Sequence, residues 1–400
     1  MKFNKNIIGW IVYDFANSSF TTIIVTVIYS VYFKNVVAGG SEYGTALWGR
    51  AVSLSLFLVA ISSPILGAIA DHSRTKKKFL FFNCYLTVIF TSLLYLIGVG
   101  DIFKGLLFFV IANYAFNSGN VFYNAFLPEI STEKNIGKIS GYGYALGYVG
   151  GLLSLLICLP LLKIDVRLVF PAVGLFFGIS AIWTFILLRE KTFSSKRTNY
   201  FKTAYRRIKH TFINISKYKE LTKFLFAYFI YNDGIVVVIS FSAIFGATQF
   251  GMNFSQLIIY FIVAQLSSIF GASFFGIILD KIGAKRTISI ALLIWIFVVI
   301  WVFFSKTIVE FYIIGGFAGI AIGSSQSASR TLLAKLTPKN KSAEFFGFYS
   351  FTGKFSSIAG PFIYGEIARI TNSQRYSVLS ILLFFVAGIV ILQLVKNDKN

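Results

Sequence analysis

Residues 67–77 read GAIADHSRTKK, and residues 276–286 read GIILDKIGAKR. Each stretch follows a long apolar run, and each carries Gly, then Asp four residues later, then a basic cluster. The offset is constant. Gly67 to Gly276 and Asp71 to Asp280 both span 209 positions, and Pro128 to Pro338, each past another apolar run, spans 210. A chain of 400 residues that repeats at about half its length is two copies of one half. In a membrane protein, that pattern marks a transporter built from repeats.

Composition identifies the solvent. Hydrophobic residues make up 56% of the chain, Phe alone contributes 46, and charged residues only 13%. A water-soluble domain has too little interior for such a sequence. Runs of about twenty apolar residues, each long enough to cross a bilayer as a helix, recur along the chain. Twelve are expected, near 7–33, 44–70, 79–98, 103–126, 138–161, 167–188, 223–247, 254–279, 285–304, 309–331, 343–368 and 376–395. The first is too long for a cleaved signal peptide, contains Asp14 and lacks a small-residue cleavage site. The expected fold is an all-α membrane protein of twelve transmembrane helices in two six-helix bundles. The bundles are residues 1–188 and 223–400, joined by a basic linker at 189–222.

The net charge of +22 invites a nucleic-acid reading, which its distribution opposes. With twelve spans, loops fall on alternate sides. The N-terminus, the loops after spans 2, 4, 6, 8 and 10, and the C-terminal tail hold 28 of the 37 Lys and Arg. The other side holds eight, and Lys354 lies within a span. This asymmetry places both termini in the cytoplasm and makes anionic lipid, not nucleic acid, the partner of the basic face. In the linker, Phe201, Ala204, Tyr205, Ile208, Phe212 and Ile215 recur at helical spacing, with Lys202, Arg206 and Lys209 off that stripe. A helix lying on the cytoplasmic membrane surface is expected there, against the alternative of a solvated linker.

Enzyme chemistry finds no support. The two cysteines, Cys84 and Cys158, lie in expected spans, and the two histidines, His72 and His210, lie in basic loops. No metal, cofactor or nucleophilic constellation follows from them. The P-loop-like stretch 347–354, GFYSFTGK, is one residue too long, and Phe355 stands where Ser or Thr is required.

What remains is the polar content of the spans, which is costly in hydrocarbon and marks partners or water-filled cavities. Trp10, Asp14, Asn17 and Thr21 share one face of the first span, and Asn113, Asn117, Asn120 and Asn124 one face of the fourth. The asparagines either hydrogen-bond between helices or line a cavity, and both readings stand. Tyr231, Asn232 and Asp233 lie mid-way along the seventh span, and Lys354 mid-way along the eleventh. A buried ion pair alone stabilises poorly, so function is the favoured reading of Asp14, Asp233 and Lys354. A Lys354–Asp233 pair is expected, with Asp14 as the other candidate partner. The site residues expected to meet solute or proton are Asp14, Asn17, Asn117, Asn120, Asn124, Asp233 and Lys354. Gly67, Asp71, Arg74, Gly276, Asp280, Gly283 and Arg286 are expected to set packing and gating.

The paired GxxxD–basic loops, with twelve spans in two halves, resemble the major facilitator superfamily. GIILDKIGAKR fits its signature loop closely, whereas the first copy has Arg74 where the signature has Gly. WIVYDFANSSF (10–20), NSGNVFYNAFLPEIS (117–131), GYALGYVGG (143–151), YNDG (231–234) and TGKFSSIAGP (352–361) are similar to the "unknown major facilitator" family, which includes a fungal vacuolar amino-acid effluxer. The fifth-span motif loosely matches the superfamily's antiporter motif but lacks its proline. The resemblance implies the major facilitator fold and alternating access. It also implies export of a small organic solute such as an amino acid. From the residues themselves, Lys354 is the expected contact for an anionic group, Asp14 or Asp233 the expected proton carrier, and the monomer the expected working unit.

Overall fold

A computed structural model describes residues 4–73, 75–130, 136–190, 218–336, 349 and 352–396. The expected surface helix over 201–215, together with Pro338 and Arg74, lies outside the described residues. So do the side chains of Asp71 and Asp280 and the surroundings of Gly67 and Gly276.

The described chain is helical nearly throughout. In order come α1 (Lys5–Ser19), α2 (Tyr29–Tyr32), α3 (Glu42–Ser73), α4 (Lys76–Leu93), α5 (Ile102–Ile130), α6 (Ile136–Leu162) and α7 (Val169–Leu187). After the linker follow α8 (Lys219–Phe250), α9 (Phe254–Ile282), α10 (Ala284–Phe304), α11 (Ile308–Leu336), α12 (Ala359–Thr371) and α13 (Gln374–Gln393). Among the described residues, eleven helical segments are long and apolar enough to cross a membrane. The twelfth expected span, 343–368, lies partly outside the described residues. Its described part is a helical piece at 352–356, a turn at 357–358, and α12.

The first span is not a plain α-helix. Phe20–Val27 and Phe33–Val37 are π-helical on either side of the four-residue α2. The Ile28 N–H donates to Ile23 O at 2.8 Å, and Ala38 N–H to Phe33 O at 2.8 Å, each five residues back. Seven of the eight residues in the first π segment, Thr21 to Val27, branch at Cβ, with Phe20 opening it.

 Such side chains crowd the preceding turn of an α-helix, and a wider turn relieves the crowding.

Two compact units result. One comprises residues 1–29 and 54–212, the other residues 30–53 and 213–400. In the first unit α1 packs on α6 and α7, and α4 on α5 and α7. Glycine makes the α1–α6 approach possible, because a Cβ on Gly150 would collide with the Phe15 carbonyl. In the second unit α9 packs on α11 in the same way, with Gly319 against the Ala264 carbonyl and Gly323 against the Ser268 carbonyl. The GYALGYVGG stretch thus serves helix packing.

Residues 30–53 sit firmly within the second unit. Trp48 Nε1 donates to Ser240 O at 3.2 Å, Ser53 Oγ donates to Ile358 O at 2.8 Å, and Arg50 Nε reaches Glu366 Oε1 at 2.6 Å. By packing, this stretch groups with the C-terminal segment.

The second GxxxD loop is reduced to one residue. Gly283 alone links α9 to α10, at φ 88 and ψ 154. That backbone region is essentially restricted to glycine. Arg286, three residues on, is exposed on the first turn of α10.

Candidate functional site

In the first unit, α1 and α5 bring the expected polar residues together. Asn17 Nδ2 donates to Asn120 Oδ1 at 3.2 Å. Two turns earlier on α1, Trp10 Nε1 donates to Tyr123 O at 2.9 Å, and the two rings stack with centroids 4.5 Å apart. Asp14 lies between these contacts on the same helix and is half-buried. Its Oδ2 and the Trp10 ring both border Gly143 of α6, where a Cβ would stand 2.5 Å from the carboxylate oxygen. The Tyr123 hydroxyl is buried beside the Asp14 carboxylate.

The asparagine stripe on α5 divides. Asn113 is buried and donates to Ser55 Oγ of α3 at 2.6 Å. Asn117 Nδ2 turns back on its own helix, to Asn113 O at 2.9 Å and Asn113 Oδ1 at 3.0 Å. Asn120 meets α1, and Asn124 is exposed. The stripe therefore holds helices together at one end and stays open at the other.

In the second unit, three consecutive residues of α8 serve three purposes. Tyr231 Oη and Ser329 Oγ of α11 are 2.7 Å apart. Asn232 Nδ2 reaches Gly353 O at 3.1 Å and Ser356 Oγ at 2.9 Å. Both oxygens of Asp233 accept from the Gly360 N–H, each at 2.9 Å. Asn232 and Asp233 thus grip the two sides of the break at 357–358. A carboxylate at the first turn of α12 satisfies free backbone N–H groups and meets the positive end of the helix dipole. Pro361, next in sequence, has no N–H to satisfy there.

The expected Lys354–Asp233 pair is not formed. The helix break supplies Asp233 with a backbone donor, and the carboxylate is used there. Lys354 is half-buried on the 352–356 piece, three residues before the turn.

A buried charge cluster escaped the sequence reading. Lys34 is 1% exposed, and its Nζ lies 3.0 Å from Glu42 Oε1 and 2.6 Å from Thr248 Oγ1. Gln374 Nε2 donates to both Glu42 oxygens, at 3.3 and 3.2 Å, and Thr45 Oγ1 donates to Glu42 Oε2 at 2.8 Å. All five residues belong to the second unit. A lysine set inside an otherwise apolar run was the available signal. Its partner, eight residues on, falls off any helical face it shares.

The basic cluster of the first loop also has a structural task. Lys76 Nζ pairs with Glu129 Oε1 at 2.6 Å, and the Lys76 N–H donates to Glu190 Oε1 at 2.9 Å. Glu190 therefore caps α4. Burial raises its carboxyl above the ordinary glutamate value, opposed by the Lys76 and Lys77 amides.

No group of three or more potential metal-binding His, Cys, Asp or Glu exists among the described residues. The family profile described as "Vacuole effluxer Atg22 like" matches residues 44–400. YxiO of Bacillus subtilis (strain 168), described as an uncharacterized MFS-type transporter, is 30% identical over 100% of this chain and 96% of its own length. Autophagy-related protein 22 of Eremothecium gossypii is 24% identical over 96% of this chain and 90% of its own. Two solved structures share the fold. The nucleoside transporter NupG matches with a TM-score of 0.71 at 14% identity, over 99% of this chain and 100% of that one. A bacterial homolog to the human lysosomal transporter Spinster, inward-facing and unoccupied, matches with a TM-score of 0.72 at 15% identity, over 97% and 96%. The chain belongs to the Atg22-like vacuole effluxer family and is a multi-pass membrane transporter with the major facilitator fold.

Proposed function

We propose that this transporter is a secondary carrier of a small organic solute, an amino acid or similar metabolite, working by alternating access in the direction of export. One observation carries the reading: the interrupted span at 357–358, gripped on both sides by Asn232 and Asp233, with Lys354 just before the break. Interrupted helices at mid-membrane, with a charged side chain nearby, are where carriers of this kind bind solute. In this reading Lys354 meets an anionic group, and Asp14, Asn17, Asn117, Asn120 and Asn124 form the polar surface of the first unit. Asp233 supports the break, and Asp14 is the candidate proton carrier. The halves 1–188 and 223–400 move as the two arms, the linker lies on the membrane, and both termini face the cytoplasm of the cell membrane. Asp71 and Asp280 serve gating, and the monomer suffices.

Proteoliposome flux tests this. Amino acids, peptides, sugars and nucleosides are screened by thermal shift on purified protein, and each compound that binds is followed as counterflow, with and without a pH gradient. Lys354→Ala should abolish flux of an anionic or zwitterionic solute, and Lys354→Arg should restore it only partly, because a planar guanidinium does not replace a compact ammonium. Full flux by Lys354→Ala would remove Lys354 from the site. Binding without flux for every compound would favour a receptor or scaffold.

A further inference from the structure

We propose that the Lys34–Glu42 pair is a latch. As one neutral plug it enters a socket made by Thr248 and Gln374, and it holds residues 30–53 against the rest of the second unit until the carrier changes state. The proposal rests on the carrier reading above and concerns the switch between states, not the solute.

The socket is neutral and braced. Gln374 Nε2, at the start of α13, donates to both Glu42 oxygens and, at 3.1 Å, to Thr248 Oγ1 near the end of α8. Turning the amide over would set its oxygen against the Glu42 carboxylate, so its orientation is fixed. Arg375, next in sequence, reaches Gln249 Oε1 at 3.1 Å, Phe303 O at 2.6 Å and Ser305 O at 2.7 Å. Two neighbouring pairs, Thr248–Gln374 and Gln249–Arg375, therefore clasp the same helix ends and tie them to the end of α10. Gln374 Oε1 is buried without a hydrogen-bond partner, a cost of the docked arrangement that water relieves when the socket opens.

The plug carries both charges on one segment, eight residues apart, and Thr45 Oγ1 holds Glu42 from the same segment. Lys34 lies in the π-helical stretch Phe33–Val37, and π turns recur at functional positions. By sequence, residues 30–53 belong to the first half of the repeat, yet they pack in the second unit. Halves that move as arms must therefore free them. The charge arrangement suits that movement. Withdrawal breaks Lys34 to Thr248 and Gln374 to Glu42, but leaves the ion pair whole, so neither side keeps a stranded buried charge. The other ties from this segment are single polar contacts: Trp48 to Ser240 O, Ser53 to Ile358 O, and exposed Arg50 to Glu366. Water replaces each as it breaks. A pair split between plug and socket would instead resist opening, because each charge would part from its partner.

That contrast supplies the test. Ser240 is buried, and its carbonyl accepts from Trp48, so a cysteine there reports release of the segment. The natural cysteines, Cys84 and Cys158, are buried. Ser240→Cys is placed in the full chain, and its reaction with a sulfonated methanethiosulfonate is timed in detergent. Adding Gln374→Glu sets a second carboxylate against Glu42 and should speed labelling at least tenfold. Adding Glu42→Gln to that variant splits the ion pair across the socket, and labelling should fall below the rate of Ser240→Cys alone. A pair with a purely structural role predicts no such overshoot. Thr248→Val, a milder change, should speed labelling several-fold and keeps the test decisive if the charged variants fail to fold. Labelling unchanged by Gln374→Glu and Thr248→Val, or as fast in the exchanged variant as in Gln374→Glu, would overturn the latch. Labelling that follows the charge pattern while no solute crosses proteoliposomes would sink the carrier reading and keep the latch. Solute flux with labelling indifferent to these changes would do the reverse.

Discussion

Lys34 Nζ stands 3.0 Å from Glu42 Oε1, with the two side chains 1% and 10% exposed. The pair closes the turn between the first two spans, and Thr45, Thr248 and Gln374 fill its remaining hydrogen bonds. Such a pair gains little net stability over an apolar equivalent, but losing one member strands the other charge.

Lys34→Met alone, or Glu42→Gln alone, should therefore destabilise the protein, by about 3–5 kcal/mol for a stranded buried charge. The double variant should recover much of the loss. Thermal unfolding in detergent measures it, and a double variant as weak as the sum of the singles would show that the pair is uncoupled.

Gly283→Ala tests the one-residue link between α9 and α10. No heavy atom lies within 4 Å of the Cβ position, so the cost comes from the backbone alone. About 1–3 kcal/mol is expected for a non-glycine residue held in this region. An unchanged melting temperature would mean that the link relaxes to another conformation.

Asp233→Ala removes both acceptors of the Gly360 N–H and leaves the start of α12 uncapped. The expected loss is about 1–2 kcal/mol, as for other helix caps. Asp233→Asn keeps one acceptor oxygen and should lose less. If Asn and Ala behave alike, the cap is not what this residue supplies.

Glu190 gives a pH signature. Its carboxyl is raised in the folded protein, mainly by burial, so the folded state holds that proton more tightly than the unfolded chain. Its stabilising contribution is fully present below the unfolded value of about 4.3 and is lost as pH rises through the raised folded value. The stability of the natural protein relative to Glu190→Gln should rise as pH falls from about 7 to about 4.5. Parallel melting series of the two proteins check this, and a difference that is flat or falls towards acid would contradict it.

Topology is tested by cysteines placed at Lys196 and Lys399. Neither should react with an impermeant thiol reagent in intact cells, because 28 of 37 basic residues lie on that side. Labelling of either from outside would reverse the orientation.

The sequence by itself determined the solvent, the helical class, the family and the half-length repeat. Each depends on properties carried along the chain: apolar run length, charge between runs, and glycines that only close packing or a tight link requires. It also pointed to α1, α5, α8 and the 352–361 stretch as the segments bearing the polar residues. What only the tertiary structure decided was where each polar group is spent. Asp233 and Lys354 lie at similar depths in their spans, which made them natural partners on paper. The helix break placed a backbone N–H closer to the carboxylate, and Asp233 went there. Four asparagines in one register looked equivalent, yet Asn113 found Ser55, Asn120 found Asn17, and Asn124 stayed exposed. Lys34 and Glu42 looked like two residues flanking a loop until Thr248 and Gln374, more than 200 positions away, enclosed them. Periodicity fixes the face a side chain occupies on its own helix. The packing of other helices against that face decides what it touches.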